Sequence, residues 1–237
     1  MANHSQSHTA ILQMHMSEFW SGDIGLTLVS ISLVVLNFVI FPLRQAGLSG
    51  RVFFDLVMVS LMISGALATK QNPIVTIITV VLVIVGAVFL WAARFYPTPF
   101  FMIVSAVFST IILLLYVRIV LLVMFRQGPV TWSRIQGGIC AYLLLGMAWA
   151  SAFNVVEQIH PGAFRFVSEP GNIDQLTSKL IYFSFATLTT VGFGDVLPVH
   201  PFARSLAIAE AIVGQLFPAI LIGTLVAMAM QSRARSD

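Results

Sequence analysis

The 237-residue chain is 58% hydrophobic and 9% charged, with a mean hydropathy of +0.96 and a formal net charge of +3. Soluble domains carry about 25% charged residues, so this composition excludes a water-soluble globule and places the chain in a lipid bilayer. No basic stripe suits nucleic acid; no zinc motif, His/Asp/Glu cluster or nucleophile–base pair suits an enzyme, and no cofactor is expected.

The apolar runs are long and lack the alternation of barrel strands. Open backbone cannot face lipid, so the spans must be helices, and the expected fold class is an all-α membrane protein. Residues 1–23 form a polar N-terminal segment, expected to be cytoplasmic, with a short apolar patch, Ala10–Met16, and three histidines, His4, His8 and His15. No cysteine or carboxylate cluster completes a metal site there, so a solvated tail is expected.

Six hydrophobic segments follow, at 24–43, 52–69, 74–93, 99–125, 132–157 and 201–230. Each approaches the roughly 20 residues that a hydrocarbon core requires. The first four make up a four-helix membrane domain, 24–125, and the last two belong to a second domain, 126–237. Trp20, Trp91, Tyr96 and Trp132 fall at segment ends, as interfacial aromatic anchors do. The Lys and Arg bias of the loops is nearly balanced and does not orient the chain. The single cysteine, Cys140, lies in an apolar run and reads as a small buried hydrophobe.

The longest interruption, 158–200, is polar at first and then apolar over Leu180–Leu188, which is too short to cross. A short helix over Leu176–Leu188 between two full spans predicts a re-entrant element, shielded by protein or facing a water-filled cavity. Directly after it stands Thr189-Thr190-Val191-Gly192-Phe193-Gly194-Asp195.

This string, following a short helix and flanked by two spans, resembles the bacterial potassium channel family, whose filter reads T-V-G-Y/F-G-D. The physical logic of the residue types can be stated separately. A dehydrated potassium ion needs rings of carbonyl oxygens in place of its hydration shell. Aiming successive carbonyls of one strand inward requires left-handed residues, which Gly192 and Gly194 permit. Val191 and Phe193 then pack away from the axis, the Thr190 hydroxyl adds an innermost oxygen ring, and Asp195 places negative charge at the mouth. Potassium, as permeant ion, would contact Thr190, Val191, Gly192, Phe193 and Gly194, supported by Thr189, Asp195, Tyr182 and Ala186. One chain carries one such loop, so copies must assemble around an axis, and the resemblance implies a homotetramer. It also implies a filter mouth facing outside and both termini in the cytoplasm. The compact chain points to a bacterial inner (plasma) membrane.

Two departures from the family pattern stand out. Some relatives carry a glutamate behind the filter where this chain has Ala186; Tyr182, one turn earlier, is expected to reach Asp195 instead. Phe193 replaces the commoner tyrosine and lacks its bracing hydroxyl.

In the last segment, Gly214 and Pro218 both weaken a helix. Gly214 reads either as a hinge or as a site of close helix packing. Gln215 is a candidate to face the cavity. Ile222, Val226 and Met230, at helical spacing, either line a dewetting gate or simply pack on neighbours. Glu210, an acid inside a span, is expected to bond a hydroxyl such as Thr187, Ser184 or Ser205 rather than touch ions.

Six segments with a pore loop between the last two is the layout of voltage-gated channels, but 99–125 contains only Arg118. Sensing needs several charges, each worth about 2.3 kcal/mol per 100 mV, so weak voltage dependence is expected. Arg118 either snorkels to the interface or pairs with Asp55. Seven residues follow Met230, so no cytoplasmic nucleotide- or calcium-binding regulator is expected in this chain. Two other functions fit less well: a non-selective cation channel, and a non-conducting structural subunit.

Overall fold

The computed structural model describes residues 33–35, 73–96, 98–125 and 131–234. The N-terminal segment with its three histidines, the span expected at 52–69 with Asp55, and all of the span expected at 24–43 except a helical stretch at 33–35 lie outside the described residues.

Among the described residues from Pro73 onward, five helices and two short strands follow in order. Helix α1 runs Pro73–Phe95, α2 Pro99–Met124 and α3 Trp132–Ile159. Strand β1 is Phe164–Phe166, α4 is Ile173–Leu188, β2 is Val196–Pro198 and α5 is Pro201–Ala234. Proline opens α1, α2 and α5, where its missing N–H costs nothing and its fixed φ suits the first turn. Among the described residues three helical stretches are long and apolar enough to cross a membrane: Pro99–Leu122, Arg134–Ile159 and Pro201–Met230. In α1 a shorter apolar stretch, Ile77–Ala93, accompanies them.

Helices α1 and α2 pack as sequential neighbours. Phe89 stacks on Phe108 with ring centroids 5.5 Å apart, and a Cβ on Gly86 would stand 2.7 Å from Ile112 Cδ1. The Ser151 hydroxyl ties α3 to α2 by donating to the Ala106 carbonyl at 3.1 Å. A core of Ile112, Tyr116, Leu144, Ile181 and Leu188 joins α2, α3 and α4. The short helix α4 is thus packed against α2 and α3.

The fold is all-α except for one ribbon that the sequence analysis did not anticipate. Strands β1 and β2 pair antiparallel, with Phe164 opposite Pro198, Arg165 opposite Leu197 and Phe166 opposite Val196. Three-residue strands are too short to leave a periodic signal, but Phe-Arg-Phe does alternate buried, exposed, buried. Beneath the ribbon, Phe153, Phe164 and Phe183 meet edge to face with centroids 5.0–5.5 Å apart. That cluster joins α3, β1 and α4, and fixes where α4 starts its descent.

Candidate functional site

The sequence expectation started the re-entrant helix at Leu176; it begins three residues earlier. Asn172 caps α4, its side chain accepting from the Gln175 N–H at 2.9 Å. Gln175 reaches back to accept from the Gly171 N–H at 2.7 Å. This reciprocal arrangement resembles a capping box, and the spacing Asn172-x-x-Gln175 was the overlooked signal. Farther along, the Lys179 ammonium donates to the Ser168 carbonyl and, at 2.7 Å, to the Ser168 hydroxyl. It also lies 5.7 Å from the centre of the Phe166 ring, so α4 is bound to the loop after β1.

At the other end of α4 the chain doubles back. A helix leaves its last carbonyls without partners, and here each finds one. The Phe185 carbonyl accepts from the Thr189 N–H at 3.0 Å and from its hydroxyl at 2.6 Å. The Thr187 carbonyl accepts from Thr190 N–H at 2.9 Å, and the Ala186 carbonyl from the N–H groups of Val191 and Gly192 at 2.9 and 3.2 Å. Tyr142 of α3 donates its hydroxyl to the Leu188 carbonyl at 3.3 Å. Ala186 therefore supports the loop through its backbone, which no side-chain reading could reveal.

Along the loop φ is positive at Thr190 (59°), Gly192 (57°) and Gly194 (81°), and at none of the residues between. Alternating handedness turns successive peptide groups to one side, where a uniform strand would alternate them. The two glycines adopt this form without penalty. Thr190 was not expected to share it; a β-branched residue there carries about 1–2 kcal/mol of strain, held by the Thr187 contact and by Gln215. Gln215 of α5 donates from its side-chain amide to the Thr190 hydroxyl at 3.0 Å. Thr189 through Asp195 are all exposed on the single chain. Among the described residues, none donates to the carbonyl oxygens of Thr189–Gly194. The amides of Thr189 through Gly192 are tied back to the last turn of α4 while the loop's carbonyls face outward from it.

The outer end of the loop is held by the ribbon. The Asp195 carbonyl accepts from Val167 N–H at 3.0 Å, continuing the β1–β2 ladder. Tyr182 stacks on Phe193 with centroids 6.0 Å apart and planes 14° apart, and its hydroxyl lies near the Asp195 side chain. Tyr182 and Asp195 line a cavity of about 590 Å³ with Lys179, Glu169 and Gln175.

Helix α5 is continuous from Pro201 to Ala234 through both Gly214 and Pro218. Gly214 is buried, and a Cβ there would lie 1.9 Å from the Leu188 carbonyl oxygen, so close packing is what the position requires. Pro218, lacking an N–H, leaves the Gly214 carbonyl without its helical donor. Ile222, Val226 and Met230 share an exposed face that none of the described residues covers. Glu210 is fully buried, and Ser184 is the hydroxyl that meets it, at 2.5 Å. Arg118 is exposed on α2.

Residues 139–231, from α3 through α5, match the family described as an ion channel. The chain is also similar to curated proteins over the same order of length. It is 29% identical over 73 residues to the inward rectifier potassium channel Kirbac3.1 of Paramagnetospirillum magnetotacticum, covering 31% of this chain and 20% of that one. It is 42% identical over 55 residues to Protein LctB of Geobacillus stearothermophilus, covering 23% of this chain and 40% of the relative. With Protein LctB of Bacillus caldotenax the identity is 31% over 83 residues, covering 34% of this chain and 61% of the relative. The chain thus spans between a fifth and three fifths of these relatives. Residues 139–231 are thus similar to an ion-channel domain, in a chain whose long apolar helices suit a multi-pass membrane protein.

Proposed function

We propose that this chain is one subunit of a potassium-selective channel in which four copies place the loop Thr190–Gly194 around a common axis. The observation that carries this reading is the division of labour in the loop backbone. The N–H groups of Thr190, Val191 and Gly192 are held by the last turn of α4, the handedness of the loop alternates, and its carbonyls lie on an exposed edge with no donor among the described residues. Free backbone carbonyls at membrane depth need a substitute for water, and rings of them replace the hydration shell of a potassium ion. The Thr190 hydroxyl adds oxygens at the inner end, and Asp195 concentrates cations at the outer one. The C-terminal end of α4, carrying about half a negative charge, faces the same region and favours a bare cation.

Assembly is supported by α5. Only 6% of its spanning window is buried within one chain, so lipid or further copies must cover it. With four copies the exposed face carrying Ile222, Val226 and Met230 would line the inner pore, and Gln215 would stand beneath the loop. The oriented protein would hold its mouth outside and its termini in the cytoplasm of a plasma (inner) membrane. With Arg118 as the one basic side chain among the described residues of α2, strong voltage dependence is not part of this reading.

The test is ion flux from liposomes that hold purified protein. Potassium should leave much faster than sodium. Equal sodium flux would favour a non-selective cation channel, and no flux of either ion from correctly assembled protein would favour a non-conducting subunit.

A further inference from the structure

Three helices meet behind the filter in two matching layers. In one, Ser184 of α4 touches Gly146 of α3 and Glu210 of α5. In the other, one helical turn on, Leu188 of α4 touches Tyr142 of α3 and Gly214 of α5. The spacing is four residues on every helix, 184 to 188, 210 to 214 and 146 to 142, so the layers share one register. The second layer is made by a glycine that cannot be enlarged. The first is made by an acid, and its proton count is informative.

The Ser184 oxygen lies 2.6 Å from the Gly146 carbonyl oxygen and 2.5 Å from Glu210 Oε1. Both separations are hydrogen-bond distances for O–H···O. A carbonyl has no proton to give, and a serine hydroxyl has one. The Ser184 proton therefore goes to Gly146, and the second contact needs a proton of its own. Were Glu210 ionised and served by Ser184, two oxygens bearing only lone pairs would face each other at 2.6 Å. The other carboxyl oxygen, Oε2, is buried without a partner among the described residues. A bare charged oxygen at that depth costs several kcal/mol, whereas the carbonyl oxygen of a neutral acid tolerates it far better. From α3 the titratable group nearby is Tyr142, whose hydroxyl is turned to Leu188; α4 offers the Ser184 hydroxyl.

We infer that Glu210 carries its proton on Oε1 in the folded protein and donates it to Ser184, which donates in turn to the Gly146 carbonyl. The neutral acid thereby acts as a positioning residue that binds the inner helix to the re-entrant helix and the outer helix through one directed chain. Its position relative to a filter rests on the channel reading above, but its protonation does not.

The test is infrared spectroscopy of the full-length protein in lipid at neutral pH, with the glutamate carboxyl groups labelled with ¹³C. Expected is a protonated-carboxyl C=O band that shifts with the label, disappears in Glu210→Gln and moves in frequency in Ser184→Ala, where its acceptor is gone. The Gln side chain, itself a donor, should restore the melting temperature that Glu210→Ala loses. Absence of a label-sensitive band in the wild-type protein overturns the inference, and so does a band that Glu210→Gln leaves in place. If Glu210→Gln fails to assemble, the wild-type band and its response to Ser184→Ala decide the matter. None of these readouts requires conduction, so a protein that passes no potassium could still carry the proton, and a selective channel could still lack it.

Discussion

Gly214 and Leu188 approach so closely that a methyl group on the glycine would sit 1.9 Å from the leucine's carbonyl oxygen. The obstacle is backbone, which cannot rotate aside. Helix α5 would have to move as a body, and α4 with the loop it carries would move too.

Gly214→Ala should therefore destabilise the protein, by about 1–3 kcal/mol as overpacked sites do, despite the roughly 1 kcal/mol that Ala gains over Gly in a helix. Gly223 is the control, since nothing lies within 4 Å of a Cβ there, and Gly223→Ala should not lower the melting temperature. Thermal unfolding of the two variants in detergent checks this. If Gly214→Ala melted no lower than wild type, the glycine would serve flexibility and not packing.

The Gln215–Thr190 contact holds the hydroxyl at the inner end of the loop. Gln215→Leu keeps the size and removes the donor. A hydrogen bond of this kind contributes about 0.5–1.5 kcal/mol, so the potassium-to-sodium permeability ratio should fall about two- to tenfold, as measured by reversal potentials under bi-ionic conditions. An unchanged ratio would mean that Thr190 is held by its backbone alone.

At the outer end, Tyr182 offers two separable interactions, its stack on Phe193 and the approach of its hydroxyl to Asp195. Tyr182→Phe should retain the first and lose the second, speeding current decay during sustained activation. Tyr182→Ala should lose both, with about 0.5–1.5 kcal/mol more from the ring pair. Equal decay in wild type and Tyr182→Phe would assign the support to stacking.

Asn172 caps the helix on which the loop depends. Asn172→Ala should cost about 1 kcal/mol and Asn172→Asp close to nothing, because a carboxylate accepts the same Gln175 N–H. Melting temperatures resolve the two, and a neutral Asn172→Ala would show that the aromatic cluster under the ribbon alone fixes the start of α4.

Much was readable before any coordinates. Long apolar runs announced the three helices long enough to span, because a bilayer leaves the backbone no other partner. The brevity of the run before Thr189 announced a helix that does not cross. The string Thr190–Asp195 announced an unusual backbone, because glycine at alternate positions has few other uses. What composition and spacing could not reach were contacts between segments far apart in sequence. The ribbon that holds Asp195 pairs residues about thirty positions apart, each strand too short to leave a periodic trace. The choice of Ser184 over Thr187 and Ser205 as the partner of Glu210 depends on how α4 is rotated against α5. The left-handed turn at Thr190 is forced on a residue that disfavours it. Local chemistry determines which elements form; only packing decides which of several equivalent groups meet, since that depends on distances the linear order does not contain.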